Sequence, residues 1–172
     1  MDISKIKAGK NVAKGEVNSF IEIPLNSDIK YELDKESGAI IADRFMFTAL
    51  RFPFNYGFIP QTMGEDGDPL DILVLGDKAV YPGVVIASQV IGLLEMEDEA
   101  GIDTKIIAVP TLKVDPQHGE YKDITDVPDS VKNKIRHFFE SYKALEPEKW
   151  VKLKDWKGKE DALKAVEKAL IK

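Results

Sequence analysis

Asp66-Gly67-Asp68-Pro69-Leu70-Asp71, followed at once by Ile72-Leu73-Val74-Leu75, is the stretch around which the rest of the chain reads. Three carboxylates within six positions stand ahead of an apolar run that reads as a buried strand. Gly67 opens backbone conformations closed to other residues and Pro69 fixes φ, so a rigid turn can aim several acid oxygens into one small volume. Such oxygens repel one another unless positive charge sits among them. Hard divalent cations suit an all-oxygen set, and the chain has no cysteine to favour a softer metal. A polar surface turn is the competing reading of the same composition. A calcium-binding hand fits poorly, because its fifth position would be Leu70 and its sixth Asp71 instead of an acid and a glycine. An aspartate phosphotransferase would place its nucleophile directly after an apolar strand, whereas here the apolar run follows the acids.

Upstream, residues 1–16 carry lysine and glycine without periodicity and read as an irregular lead-in. From Val17 the pattern Phe20-Ile21-Glu22-Ile23-Pro24 predicts a strand that ends at the proline, with Glu22 able to face water. Ile29-Lys30-Tyr31-Glu32-Leu33 alternates, which points Ile29, Tyr31 and Leu33 inward and puts Lys30 and Glu32 on the other face. On the segment alone, a solvated ion-paired face accounts for those two charges. Asp34-Lys35-Glu36-Ser37-Gly38 makes a hairpin connection into Ala39-Ile40-Ile41, and Asp43-Arg44-Phe45 continues that strand. Arg51 to Phe58 is dense in aromatic rings, most of them expected in the core, with the Tyr56 hydroxyl a possible exception.

Downstream, Tyr81-Pro82-Gly83 turns into a long strand or bent pair from Val84 to Leu94, where Gly92 is a candidate bulge. A second acidic turn is expected from Glu95 to Asp103, leading into the strand Thr104 to Pro110, on which Asp103 and Lys105 share a face. A charged hairpin tip explains Glu95 and Glu97; for Asp98 and Asp103 a surface role and a ligand role stand level. A helix is expected from Asp126-Val127-Pro128, with Val131, Ile135, Phe138, Phe139, Tyr142 and Leu145 along its apolar stripe. His118 and His137 have no spacing that suggests zinc or a catalytic triad. After Gly158 comes a final amphipathic helix, acidic at Glu160 and Asp161 and basic at Lys168 and Lys172, as the helix dipole favours.

At 172 residues the chain is expected to form one domain over 1–172, with 31% charged and 44% hydrophobic residues, as in a soluble globular protein. Nothing approaches membrane-spanning length, no signal-peptide profile opens the chain, and zero cysteines agree with a cytoplasmic location. A net charge of −6 argues against nucleic-acid binding by phosphate neutralisation. Many short strands with helices gathered toward the end suggest an α+β fold: a small closed antiparallel barrel of the OB type with helices packed outside.

The ordered set of pieces resembles the family I soluble inorganic pyrophosphatases over nearly the whole stretch from Glu22 to Trp156. Its signature, Asp-x-Asp-Pro-x-Asp, stands here as Asp66 to Asp71. Around it, in the family's order, lie Glu22; Lys30-Tyr31-Glu32; Asp43-Arg44-Phe45; Asn55-Tyr56-Gly57; Asp98-Glu99 through Asp103-Thr104-Lys105; and His137-Phe138-Phe139 with Tyr142-Lys143. The resemblance implies magnesium-dependent (Mg2+) hydrolysis of pyrophosphate to two orthophosphates, the substrate entering as its magnesium complex, by a homohexamer.

By the same resemblance Asp66, Asp71 and Asp103 would hold two metals flanking the attacking water, and Asp98 would help bind the metals that arrive with the substrate. Glu22, Glu32 and Glu99 would act mainly through outer-shell waters. Asp68 would take the proton from the water, Lys30, Arg44, Lys105, Tyr142 and Lys143 would hold phosphate oxygens, and Tyr56 would tune the acid cluster. Phe52 departs from the many relatives with tyrosine there; one missing neutral hydrogen bond is expected to change affinity or rate modestly, by about 0.5 to 1.5 kcal/mol. The rival readings are a barrel that binds single-stranded nucleic acid or a phosphorylated ligand without catalysis, and a structural calcium module. The first would need basic residues interleaved with exposed aromatics, whereas acids prevail around this site.

Overall fold

The computed structural model describes residues 3–171, so Lys172, expected at the end of the last helix, lies outside the described residues. Five strands close a ring. β1 (Glu16–Ile23) pairs along its second half with β4 (Asn55–Phe58), which pairs with β5 (Asp71–Val74). β5 runs beside β8 (Lys105–Pro110), β8 beside β6 (Val85–Asp98), and β6 returns to the first half of β1. The barrel is therefore of the expected type with one correction: β5 and β8 are parallel, because the long excursion through β6 brings the chain back in the same direction. Off the ring, β2 (Ile29–Leu33) and β3 (Ile40–Phe45) form a separate hairpin, while β7 (Gly101–Ile102) and β9 (Val151–Gly158) pair with β6.

The apolar run after the acid turn is continuous because both of its faces are covered. Ile72 and Val74 join one buried cluster with Ile106, Ala108 and the Ala162, Val166 and Ala169 face of α2 (Lys159–Ala169). Leu73 and Leu75 join another with Ile107, Val109 and the Ile135, Phe138, Phe139 stripe of α1 (Asp129–Ser141). β6 can serve β1, β8 and β9 because it bends: its register with β8 shifts between Val90 and Gly92. A Cβ at Gly92 would stand 2.7 Å from the Lys157 carbonyl oxygen and 2.8 Å from Ile124, so the expected bulge needs its glycine.

Several expectations shift. β6 runs on through Asp98, so the turn is Glu99 and Ala100 alone, shorter than the one expected from Glu95 to Asp103. β9 is a further strand, beyond those the sequence pattern predicts. Ile29 and Leu33 are half-buried, since the β2–β3 hairpin stands off the barrel. Leu145 lies beyond the helix and is exposed. The lead-in folds into two single 3₁₀ turns, Ile3–Lys5 and Val12–Lys14. No helix among the described residues is long and apolar enough to cross a membrane.

The expected helix start at Asp126 is instead a 3₁₀ turn, Ile124–Asp126, and α1 begins after Pro128. The cap of that turn, Asp123, also serves α2. Its carboxylate accepts from Thr125 N at 3.2 Å and from Lys159 N at 2.8 Å, where the N-cap of α2 itself is Gly158 and has no side chain to offer. The Lys159 N–H, with Thr125, holds the Asp123 carboxyl below its usual range. Asp123→Ala is expected to cost about 1–2 kcal/mol in urea denaturation at neutral pH, with the difference shrinking as pH falls through the depressed value. Equal stability at pH 7 would remove the shared cap.

Candidate active site

The parallel pairing of β5 and β8 sets Ile72 opposite Ile106, so Asp71 and Lys105, one residue earlier on each strand, meet at the same end of the barrel. Lys105 is almost wholly buried there. Its ammonium bonds Asp71 Oδ2 at 2.5 Å and Asp103 Oδ1, and donates to the Tyr56 hydroxyl of β4 at 3.0 Å. Burial works against that charge, but Asp71, Tyr56 and Asp103 outweigh it and raise the Lys105 pKa well above the ordinary value. Burial lifts the Asp103 carboxyl, opposed by Lys105, and lifts the Tyr56 hydroxyl, aided by Asp71. Two carboxylates thus already converge on one positive centre.

The acid turn beside this cluster is fixed locally. Asp66 Oδ1 accepts from Asp68 N at 3.0 Å, Gly67 sits at φ +87°, and Leu70 N donates to the buried Thr62 hydroxyl at 2.9 Å. The turn leaves the Asp68 side chain 70% exposed, with one ion pair, to Lys35 at 2.7 Å.

Opposite the turn, the β2–β3 register places Lys30 directly across from Arg44. Like charges so placed repel. Carboxylates compensate: Asp43 lies 3.5 Å from Lys30 and 2.9 Å from Arg44 Nε, Glu32 pairs with Lys30, and Glu146, its side chain largely covered, pairs with Arg44. On the third side Lys143, just past α1, bonds Asp98 at 2.7 Å. Burial of Asp98 favours its neutral form, but Lys143 and the Ala100 N–H prevail and hold the carboxyl below its usual range.

These sides enclose a cleft of about 440 Å³. Every site residue expected from the sequence lines it except Glu99, which stands behind Lys143 at 3.7 Å and pairs with Lys149. Lys35, Glu146 and Lys149 line it as well and were not foreseen. For Glu146 a signal existed, since it lies four residues beyond Tyr142 and three beyond Lys143; the hairpin position of Lys35 offered none. His118 is tied by Nδ1 to Asp115 at 2.6 Å, away from the cleft. Asp77, Asp115 and His118 offer atoms within 4.8 Å of one another, but Asp115 already accepts from the backbone N–H groups of Gln117 and His118.

Glu22 corrects the idea of a water-facing strand acid. It accepts from Leu33 N at 2.8 Å, joining β1 to β2, and burial, with Asp71 and Glu32 nearby, raises its pKa to about 7. The folded chain therefore binds more protons than the unfolded chain between about pH 4.5 and 7, and metal-free stability falls as pH rises through that window. Glu22→Gln keeps an oxygen for Leu33 and removes the titration. In EDTA it is expected to be more stable than the native chain at pH 8 by on the order of 2–3 kcal/mol, and equal at pH 4. Urea midpoints that track each other at both pH values would return Glu22 to a solvated role.

A family model described as inorganic pyrophosphatase matches residues 19–172. The inorganic pyrophosphatase of Aquifex pyrophilus is 50% identical over 170 residues, covering 99% of this chain and 96% of that one. That of Saccharolobus solfataricus is 51% identical over 166 residues, covering 96% of each. Among solved structures, the inorganic pyrophosphatase of Helicobacter pylori matches with a TM-score of 0.92 at 49% identity over 96% of each chain. That of Thermus thermophilus matches at 0.94 and 45% identity, over 99% of this chain and 97% of that one.

Proposed function

The chain belongs to the inorganic pyrophosphatase family, and from that membership we propose that it hydrolyses pyrophosphate to two orthophosphates with magnesium, as one catalytic domain. The observation that carries the reading is the convergence of Asp71 and Asp103 on the Lys105 ammonium, within a cleft walled by further acids and bases. The donor set fits the metal. All of its oxygens are hard carboxylate donors, and a buried positive charge already stands where two of them meet.

Asp66, Asp71 and Asp103 would hold two magnesium ions, Asp98 the ions that come with the substrate, and Glu22, Glu32 and Glu99 the waters around them. Bound there, the metal supplies charge neutralisation and a water of lowered pKa. The side chains do the rest. Asp68, exposed and apart from the buried cluster, takes the proton of the attacking water. Lys30, Arg44, Lys105, Tyr142 and Lys143 grip phosphate oxygens, which requires the four cations to exchange the carboxylates they hold in the free cleft. Tyr56 keeps Lys105 in place through its hydroxyl. Phosphoryl transfer asks little covalent work of a protein, so positioning and charge compensation carry the rate.

The substrate enters as its magnesium complex, which reconciles an anionic ligand with a net charge of −6. The chain works in the cytoplasm as a homohexamer, for which exposed Ile41, Phe45 and Phe47 on and after β3 provide apolar contact surface. The deciding assay is phosphate release from pyrophosphate. Release is expected with magnesium, none with EDTA, and none with calcium alone, whose larger radius and looser coordination spoil the geometry. A protein that releases no phosphate with magnesium is not a pyrophosphatase.

A further inference from the structure

Each cation of the cleft is tethered to a carboxylate, and the tethers differ in how readily they let go. Lys105 is buried between Asp71 and Asp103, Lys143 lies between the largely buried Asp98 and Glu99, Lys149 also holds Glu99, Arg44 holds Asp43 and the largely buried side chain of Glu146, and Lys30 holds Glu32 and Asp43. Lys35 is different. Its one ion pair, to Asp68 Oδ1 at 2.7 Å, joins side chains that are 62% and 70% exposed.

The hairpin tip that carries Lys35 is itself well fixed. Asp34 accepts from Glu36 N at 3.3 Å, from Ser37 N at 3.1 Å and from the Ser37 hydroxyl, so the bend is set while the four-carbon stem of Lys35 stays free to swing. An ion pair this exposed contributes little, so it changes partner at small cost.

We propose that Lys35 is a further phosphate-contacting residue, held on Asp68 while the cleft contains no anion and passed to a substrate phosphate oxygen as the anion enters. This rests on the reading of the cleft as a pyrophosphate site with Asp68 as base. The exchange does two things at once: it adds a cation to the phosphate grip from the open side of the cleft, and it frees Asp68 only when there is something to hydrolyse. A phosphate group offers several acceptor oxygens and more negative charge than a carboxylate, so it outcompetes Asp68 for the ammonium.

The test uses the full chain with Lys35→Ala and Lys35→Arg, each also in an Asp68→Asn background. Calorimetry with inorganic phosphate and with imidodiphosphate, and the separate values of KM and kcat, are the readouts. Lys35→Ala is expected to weaken anion binding and raise KM by about three- to tenfold, with magnesium affinity unchanged and Lys35→Arg close to native. In the Asp68→Asn background the alanine change should cost at least as much, because the amide no longer competes for the ammonium. Unchanged anion affinity and KM in Lys35→Ala would overturn the proposal, leaving a surface ion pair. An effect that vanishes with Asp68→Asn would overturn it too, since Lys35 would then act only through Asp68. A chain that hydrolyses nothing yet loses phosphate affinity with Lys35→Ala keeps the contact and defeats the reaction instead.

Discussion

Asp68→Asn is expected to lower turnover at saturating magnesium by about 10² to 10⁴-fold while leaving the fold and the metal affinity nearly intact. The geometry separates this residue from its neighbours in the same turn. Asp71 points at the buried Lys105, and Asp66 folds back to accept the Asp68 N–H, whereas the Asp68 side chain stands in solvent with one oxygen on Lys35. Asparagine reproduces the shape and can still accept a hydrogen bond, but an amide is no base near neutral pH. Part of the lost rate should return at high pH, where the attacking water gives up its proton unaided. Asp66→Asn and Asp71→Asn should behave differently, losing metal affinity and recovering with excess magnesium. Full recovery of Asp68→Asn by magnesium would make Asp68 a ligand and end the division of labour proposed for the turn.

Removing the charge of Lys105 should have the largest effect on stability. Lys105→Met keeps most of the volume but leaves Asp71 and Asp103 facing each other in a partly buried setting, with the Tyr56 hydroxyl deprived of its donor. Breaking a buried ion pair from one side typically costs about 3–5 kcal/mol, and that is the loss expected for the metal-free protein in urea denaturation. Magnesium should restore much of it, because divalent cations supply the missing charge to the same carboxylates and bind only the folded chain. Turnover should stay low even so, since the grip on phosphate is gone. A metal-free loss below about 1 kcal/mol would mean that solvent already screens the cluster.

Much of this site is written in local sequence. The acid turn needs only Gly67, Pro69 and three acids to declare itself, and the run Ile72 to Leu75 marks the strand behind it because both faces are covered. Gly92 announces its bulge. What escaped was what depends on partners far along the chain. The parallel alignment of β5 with β8, which brings Asp71 to Lys105, has no local signature. β9 begins with clean alternation, Val151-Lys152-Leu153-Lys154, and then loses it at Asp155-Trp156, where its register with β6 shifts between Leu94 and Met96. Glu22 looked solvated because a strand acid flanked by apolar residues usually is; its burial comes from the hairpin laid over it through Leu33. The ion pairs of Lys35 with Asp68 and of Arg44 with Glu146 join elements that only the folded chain brings together.

β1 closes the ring by pairing with β4 on one side and β6 on the other, with the buried hydroxyls of Ser19 and Ser88 bonded across the second seam at 2.8 Å. During assembly this makes β1 a latch. Until it docks, β4 and the first half of β6 are open edges, each a row of unpaired backbone donors and acceptors able to recruit another chain. Both seams join residues far apart in sequence, so closure is a non-local event of the kind that slows folding and prolongs exposure of such edges. Crowded synthesis would penalise this chain at its seams before any weakness showed in the cleft, and substitutions along β1 would surface first as aggregated material in the cell.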